Sequence, residues 1–429
     1  MLTEVQLSFH LGLFLAVFAL AMILRLLLNR MNILHLKNLG HRVPADFEGF
    51  IDGKTLVRMR DYTLETSRVS SIENLTSDMI LLFFILSGLF VWINAQISAL
   101  NLHGIISGTL FFLVCSLLMG TVEIPFDLYR NFVIEKRFSF NNLTLKLWLS
   151  DLVKSLLVSF IVMGLFLTVL LSLIHYFEQT WWLWVWIFFL CFQLLVMWLY
   201  PVVIAPLFNT FEPIEDEELK NRILSVAQKS GIRVSGLFRM DAGKRSRHSN
   251  AYFTGVGRSK RIVLFDTLID THTTDEIVAV LAHELGHWKM GHIRKQLMLS
   301  MGVSLAGLYI AYRLVNSPIL YAAFGFDEVR IYIGLFLLTI VVKPLAFFLT
   351  PLTSMLSRHF ERQADEFACL LTGDSAPLVS ALKQLAKENL SNLHPHPFYA
   401  WFFYSHPPLV RRIERLKGMN QGSARIPLP

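Results

Sequence analysis

Charge is scarce in this chain: Asp, Glu, Lys and Arg make up 17% of its 429 residues, where soluble domains carry about 25%. Hydrophobic residues reach 54%, above the roughly 45–50% of soluble domains. That balance argues against an ordinary soluble enzyme. It points instead to membrane-spanning helices, each of which needs about 20 apolar residues. Cysteine is nearly absent. Cys115, Cys191 and Cys369 lie far apart, two of them inside apolar runs, which excludes a disulfide framework and a cysteine-based metal site. They read as buried apolar residues. A cleavable leader is not expected either. No basic residue precedes the first apolar run, and Arg25, Asn29 and Arg30 follow it in place of a small-residue cleavage site.

Seven runs are long enough to span a bilayer, approximately Phe9–Leu28, Met79–Leu100, Ile105–Pro125, Leu152–Phe177, Trp181–Val203, Gln296–Val315 and Ile331–Met355. Lysine and arginine are missing from one set of connecting segments: residues 1–8, 101–104, 178–180 and 316–329 contain none. The alternate segments hold them, with Arg30, Lys37, Arg42, Lys54, Arg58, Arg60 and Arg68 in one and Arg130, Lys136, Arg137 and Lys146 in the next. The positive-inside rule then predicts the N-terminus outside, the C-terminus in the cytoplasm and the long segment near 204–295 on the cytoplasmic side. The formal charge of +7 is accounted for by this topology and by contact with anionic headgroups. The expected partner is therefore the lipid bilayer, and nucleic acid is not inferred.

Charged residues are also few inside the runs or at their ends. Glu123, Asp127, Asp151, Lys154 and Lys343 are among them, and such groups mark a cavity or a partner. Glu123, Asp151 and Lys154 are expected to snorkel to the interface. Lys343 lies deepest and is followed at once by the helix-kinking Pro344, so it is expected to face an internal, water-accessible space.

What the chain does contain is His283-Glu284-Leu285-Gly286-His287. Residues four apart on a helix lie about 40° apart around its axis, so His283 and His287 present two imidazoles from one face. That is half of a tetrahedral zinc shell. Glu284 then sits beside the open coordination position, where it can take a proton from water. The bare pattern also occurs on surface helices with two solvated histidines. Here the preceding run Ile277–Ala282 is apolar and the small Gly286 permits close approach. A third ligand must come from elsewhere. His292 does not fit the metzincin spacing, because position 293 is Ile and position 290 is Met. Glu361, Asp365 and Glu366 in the stretch Phe360–Ala368 are the acidic candidates. Glu361 and Asp365 are four apart, so one could bind metal while the other buttresses a ligand histidine; spacing alone does not assign them. Upstream, Asn250–Gly255 and Arg261–Phe265 are β-rich runs joined by a turn through Gly257–Lys260. They read as a hairpin, either structural or offering a free edge to an extended peptide.

Together these stretches resemble the type I CAAX prenyl protease family, integral-membrane zinc metalloendopeptidases. Ser249–Phe253, Arg261–Leu268, His283–His287, Phe360–Ala368 and Ser405–Leu409 carry the likeness, which extends over essentially the whole chain. The resemblance implies a mainly α integral membrane protein whose roughly seven transmembrane helices enclose an intramembrane chamber. A cytoplasmic zincin-like domain with a small β-hairpin would face that chamber. It implies one Zn2+ per chain on His283, His287 and Glu361, with Glu284 as proton acceptor and Asp365 behind a ligand histidine. His406 and Arg412 would stabilise the developing oxyanion or hold neighbouring carboxylates. Asn250, Ala251 and Tyr252 would lie on the substrate-pairing strand. The expected division is residues 1–204 for the first five membrane helices, 205–293 for the segment with the motif helix, 294–355 for helices six and seven, and 356–429 for the C-terminal cytoplasmic segment. The substrate would be a peptide or protein, prenylated or not.

Three other readings compete. A membrane quality-control zinc protease shares the chemistry but typically has fewer spans. A site-2-type intramembrane protease would bury the motif within a spanning helix, which the polar flanks Thr271–Glu276 and Lys289–Lys295 oppose. A transporter or channel with a structural zinc would close the site with four protein ligands and would not need Glu284. The C-terminal Ser423–Pro429 shows no dilysine-type retrieval signal. A bacterial plasma membrane is therefore expected ahead of the endoplasmic reticulum.

Overall fold

The computed structural model describes residues 8–254 and 261–421. Among them, seven helices are long and apolar enough to cross a membrane: α1 (Phe9–Leu39), α2 (Gly53–Leu86), α3 (Gly104–Glu135), α4 (Leu145–Tyr176), α5 (Trp181–Leu207), α7 (His292–Leu314) and α8 (Ile331–Thr372). The motif helix α6 (Thr274–Lys289) lies between the fifth and sixth spans. The seven apolar windows are buried over only 0–44% of their residues. A solid bundle would bury the inward stripe of every helix; low burial on this scale fits helices arranged around a hollow.

Most of the helices extend beyond the expected runs, and the second and last spans depart furthest. The second was expected at Met79–Leu100, yet α2 begins at Gly53 and ends at Leu86. Gly88, in the left-handed conformation at φ 69°, separates it from a short helix, Leu89–Ala99. The first half of α2 is helical but polar, so apolar run length could not reveal it. The last span continues without a break from Ile331 to Thr372 through Pro344 and Pro351. The expected boundary at 355/356 therefore falls inside one rod.

The hairpin is present, within a larger sheet of order β1-β2-β4-β3: β1 (Phe211–Pro213), β2 (Gly236–Met240), β3 (Ala251–Thr254) and β4 (Arg261–Phe265). β3 and β4 pair antiparallel with Ala251 opposite Leu264, whereas β2 runs parallel to β4. The expected turn Gly257–Lys260, together with Gly255, lies outside the described residues. Central β4 is apolar on both faces, with Ile262, Val263 and Leu264 all buried. One face packs with Leu268, Ile277, Val278 and Leu281 and so fixes α6 against the sheet. Burying each such Leu, Ile or Val contributes about 1.5–3 kcal/mol.

The polar residues of the spans find partners. Asp151 takes a two-point ion pair from Arg245, and Lys154 donates to the Leu207 carbonyl at 2.9 Å. Neither simply snorkels. Cys115 is buried, but Cys191 is exposed on α5, where a buried position was expected. Lys343 reaches Asp78 at 3.2 Å, and Asp78, buried in α2, also accepts from Arg25 of α1 at 3.1 Å. One carboxylate thus ties three membrane helices together. Removing it would leave two cations facing each other in a low-dielectric setting. The Asp78→Ala variant should lose about 3–5 kcal/mol of stability, read as a lowered thermal midpoint of the solubilised protein. An unchanged midpoint would show that the three-way contact is not structural.

Candidate active site

α6 starts at a capping box: the Thr273 side chain accepts from the Glu276 N–H at 3.3 Å, and Glu276 accepts from the Thr273 N–H at 2.8 Å. This satisfies two of the free donors at the helix start and fixes the phase of the motif downstream. Packing then sets the approach to α8. A Cβ built on Gly286 would come within 2.9 Å of the Ala364 Cα, so only glycine lets the two helices lie this close. Across that contact His283 and His287 meet Glu361.

The three form one cluster, with a ligand atom of each within 4.8 Å of the others. The His283 and His287 Nε2 atoms are 3.2 Å apart, and each lies 3.3 Å from an oxygen of Glu361. Glu361 and His283 are buried. Two imidazole nitrogens and one carboxylate are the donor set that catalytic zinc takes, leaving a coordination position for water. Behind the cluster, the His283 Nδ1 lies 2.9 Å from Asp365. Burial and the neighbouring Arg412 press the His283 imidazole down, but its hydrogen bonds to Asp365 and Glu361 outweigh both and hold it up at about 9. The anionic surroundings favour a cation at this spot, whether proton or metal ion.

Arg412 is spent on Asp365, donating from Nε at 2.8 Å and from Nη2 at 2.6 Å. That fork–fork geometry fixes the carboxylate behind His283, while Arg412 lies 3.9 Å from Glu361. His406 Nδ1 lies 2.8 Å from Glu361 Oε2, so both residues touch the carboxylates of the cluster. Glu366 turns away and pairs with Arg415. Spacing left the three acidic residues open; the geometry separates them.

A cleft of about 270 Å³ is lined by Glu284, His283, His406, Arg412, Asn250 and Ala251, among others. β3 forms one edge of the sheet. Phe265 N–H donates to the Asn250 carbonyl, so in an antiparallel ladder the main-chain groups of Ala251 and Phe253 point to the open side. Tyr252 is not brought to the cleft. Its main chain pairs with Val263, and its ring packs among Met240, Val263 and Phe265 on the other face. Successive strand residues face opposite ways, and Ala251 holds the cleft side.

Two further residues serve the site without having been singled out for it. Asn389 accepts from the Ser249 N–H at 3.1 Å and donates to the Ser249 carbonyl at 3.3 Å, pinning the entry to β3. His292, rejected above as a ligand, lies with Nδ1 3.0 Å from the Nδ1 of His287 and Nε2 2.8 Å from the Gln363 Oε1. Gly291, at φ 66°, turns the chain back so that the first residue of α7 meets the last turn of α6. A five-residue offset cannot be read as a helical contact; only the left-handed glycine makes it one.

A family described as "CAAX prenyl protease N-terminal, five membrane helices" matches residues 32–210, and "Peptidase family M48" matches residues 213–420. The chain belongs to peptidase family M48. "CAAX prenyl protease 1" of Saccharomyces cerevisiae is 35% identical over 402 residues, covering 87% of this chain and 88% of that protein. The "CAAX prenyl protease 1 homolog" of Mus musculus is 32% identical over 430 residues, covering 89% and 90%. The crystal structure of S. mikatae Ste24p superposes with a TM-score of 0.88 at 33% identity, covering 94% of this chain and 97% of that one. The M48 member described here is therefore a multi-pass membrane metalloendopeptidase of the CAAX prenyl protease 1 type. These relatives are eukaryotic, and the expected bacterial plasma membrane gains no support from them. The C-terminal segment on which that expectation rested lies outside the described residues.

The contact between His292 and His287 is consistent with a single arrangement of protons. For the His287 Nε2 to be free as a ligand, Nδ1 must carry the hydrogen and donate to His292, whose Nε2–H then donates to Gln363. His292→Ala should weaken zinc binding about 10–100-fold, measured by competition with a chelator. Unchanged affinity would show that His292 does not orient the ring.

Proposed function

We propose that this protein is a zinc-dependent endopeptidase that cleaves near the C-terminus of prenylated, CAAX-type proteins. The observation that carries this reading is the meeting of His283, His287 and Glu361 beside Glu284, in a cleft bordered by the open edge of β3. Zinc bound there would polarise the scissile carbonyl and acidify a water. Glu284 takes the proton of the attacking water and returns it to the leaving amine. Phe253 offers its main-chain N–H and carbonyl and Ala251 its carbonyl to an extended substrate, while the Ala251 N–H donates to the Asn250 Oδ1 at 2.8 Å; this edge holds the substrate in register with Glu284. Arg412 holds Asp365, Asp365 holds His283, and His406 holds Glu361, so the ligands are oriented before substrate arrives. The prenyl specificity is supported by the names of the relatives and by the membrane helices around the site.

The active site is assigned to the cytoplasmic side. Basic residues crowd the segments on the side of the cleft. Arg313, in the last turn of α7, and Arg330, at the start of α8, are exceptions at the opposite end. Substrate then enters from the cytoplasm, or laterally from the inner leaflet if it carries a lipid.

Glu284→Gln should keep its zinc and lose at least about 100-fold in turnover, with metal analysis run beside cleavage of a farnesylated peptide and its unprenylated twin. In the same assay Glu361→Ala should lose the metal, Asp365→Ala should weaken it about 10–100-fold, and Glu366→Ala should retain it. Near-normal turnover in Glu284→Gln would overturn the mechanism. Equal cleavage of both peptides would overturn the prenyl specificity alone.

The topology is tested separately in a background lacking the three native cysteines. A cysteine at Asn316 should react with an impermeant thiol reagent in intact cells. One at Lys244 should react only after the membrane is opened. Labelling of Lys244 in intact cells would place the site on the other side.

A further inference from the structure

A second cavity, of about 510 Å³, lies behind the catalytic cluster and is lined by Arg358, Arg362, Arg411, His35, His394 and Trp401, among others. It is crowded with guanidinium groups. Two that reach it are already neutralised, Arg412 by Asp365 and Arg415 by Glu366. Arg358, Arg362 and Arg411 are not: among the described residues none of the three makes an ion pair with a carboxylate. Glu414 is a further carboxylate in the lining, so three cations stand against one remaining anion. Arg358 is held in place by the main-chain carbonyls of Ala400 and Tyr404, an arrangement that orients the guanidinium without neutralising it. Arg358 and Arg362 are four apart on α8, and like charges at that spacing destabilise a helix unless an anion lies between them.

The surroundings say what kind of anion. The apolar part of α8 ends near Met355, so Arg358 and Arg362 occupy the next turns, where a spanning helix leaves the hydrocarbon. Leu345, Phe348, Leu352 and Met355 are exposed on α8 at alternating spacings of three and four, and Arg358 and Arg362 follow within the next two turns. An apolar stripe therefore leads directly to the cationic cavity. On its rim, Trp401 and Phe398 are both exposed and stack with ring centroids 5.3 Å apart, in the manner of aromatic residues at headgroup level. Free phosphate would need the arginines but not the stripe or the stacked rings.

We propose that this cavity binds the phosphate of an anionic phospholipid, with the headgroup among Arg358, Arg362 and Arg411 and an acyl chain along the α8 stripe. Guanidinium forks suit phosphate oxygens, and the cavity is of the size that holds a small ligand. The cavity adjoins the catalytic cleft, with Arg412 as a shared wall, but the proposal does not depend on the substrate proposed above.

The test uses the full chain carrying Glu284→Gln, so that catalysis plays no part, in bilayer discs of phosphatidylcholine with or without phosphatidylglycerol. Lipid retained after extraction is identified by native mass spectrometry. Phosphatidylglycerol should be retained in preference to phosphatidylcholine, and Arg358→Gln with Arg411→Gln should reduce that preference about tenfold or more. The charge reversal Arg411→Glu, at an exposed position, keeps the test informative if the double variant folds poorly. Equal retention of the two lipids, or an undiminished preference in either variant, would overturn the proposal. Full displacement by inorganic phosphate would assign the cavity to a small anion, and displacement by a tripeptide acid but not its amide would assign it to a peptide carboxylate. Either result would overturn the lipid assignment.

Discussion

The close approach of α6 to α8 at Gly286 and Ala364 is the contact on which the rest of the site depends. Any side chain at Gly286 would meet the backbone of α8, pushing the histidines of one helix away from the carboxylates of the other. With the helices this close, side chains some 80 residues apart in sequence meet within hydrogen-bond range. α8 also runs unbroken from the membrane spans to Thr372. The same rod that carries Lys343 toward Asp78 carries Glu361 and Asp365 to the histidines, so the membrane part and the catalytic part share a rigid element.

Orientation is secured by pairs of groups acting behind the cluster. Asp365 and Arg412 hold His283 from one side, His292 and Gln363 hold His287 from the other, and His406 lies against Glu361. The two histidines are treated differently: an ionised carboxylate backs one, and a neutral imidazole–amide chain backs the other. A carboxylate makes its histidine a stronger donor, whereas a neutral chain fixes ring orientation with less added charge. Beside them the sheet leaves β3 unpaired on the side of the cleft, because β4 is already flanked by β2 and β3. An edge strand is usually a liability; here the open edge borders the cleft.

Much of the site was legible because its parts are local. His283, Glu284 and His287 share one helical face, and Glu361 and Asp365 share another, so periodicity alone made each pair visible. The two runs of the hairpin were legible by alternation and composition. Parts that depend on the turn of the chain were not. His292 was discounted on spacing, since five residues do not return to the same face of a straight helix; Gly291 breaks the helix and brings it back. Tyr252 was grouped with Asn250 and Ala251 by adjacency, although neighbouring strand residues point to opposite faces. The polar first half of α2 escaped a reading based on apolar length, and Gly236–Met240 gave no signal strong enough to announce a second pair of strands.

By itself, then, the sequence determined the number of membrane spans, the two histidines and the glutamate of the motif helix, and a resemblance to the CAAX prenyl proteases. The spans and the motif follow from composition and from spacings of three and four residues, which the backbone converts directly into faces, whereas the resemblance rests on the matched stretches. Spacing left open which acidic residue meets the histidines, and the resemblance alone implied Glu361; its meeting with them, the neutralised arginine and the open strand edge are products of tertiary structure. Glu361 and Glu366 have the same chemistry and almost the same position in sequence. They differ because packing of α6 against α8 buries one and turns the other toward Arg415, a distinction set by helix phase and interhelical distance rather than by residue type.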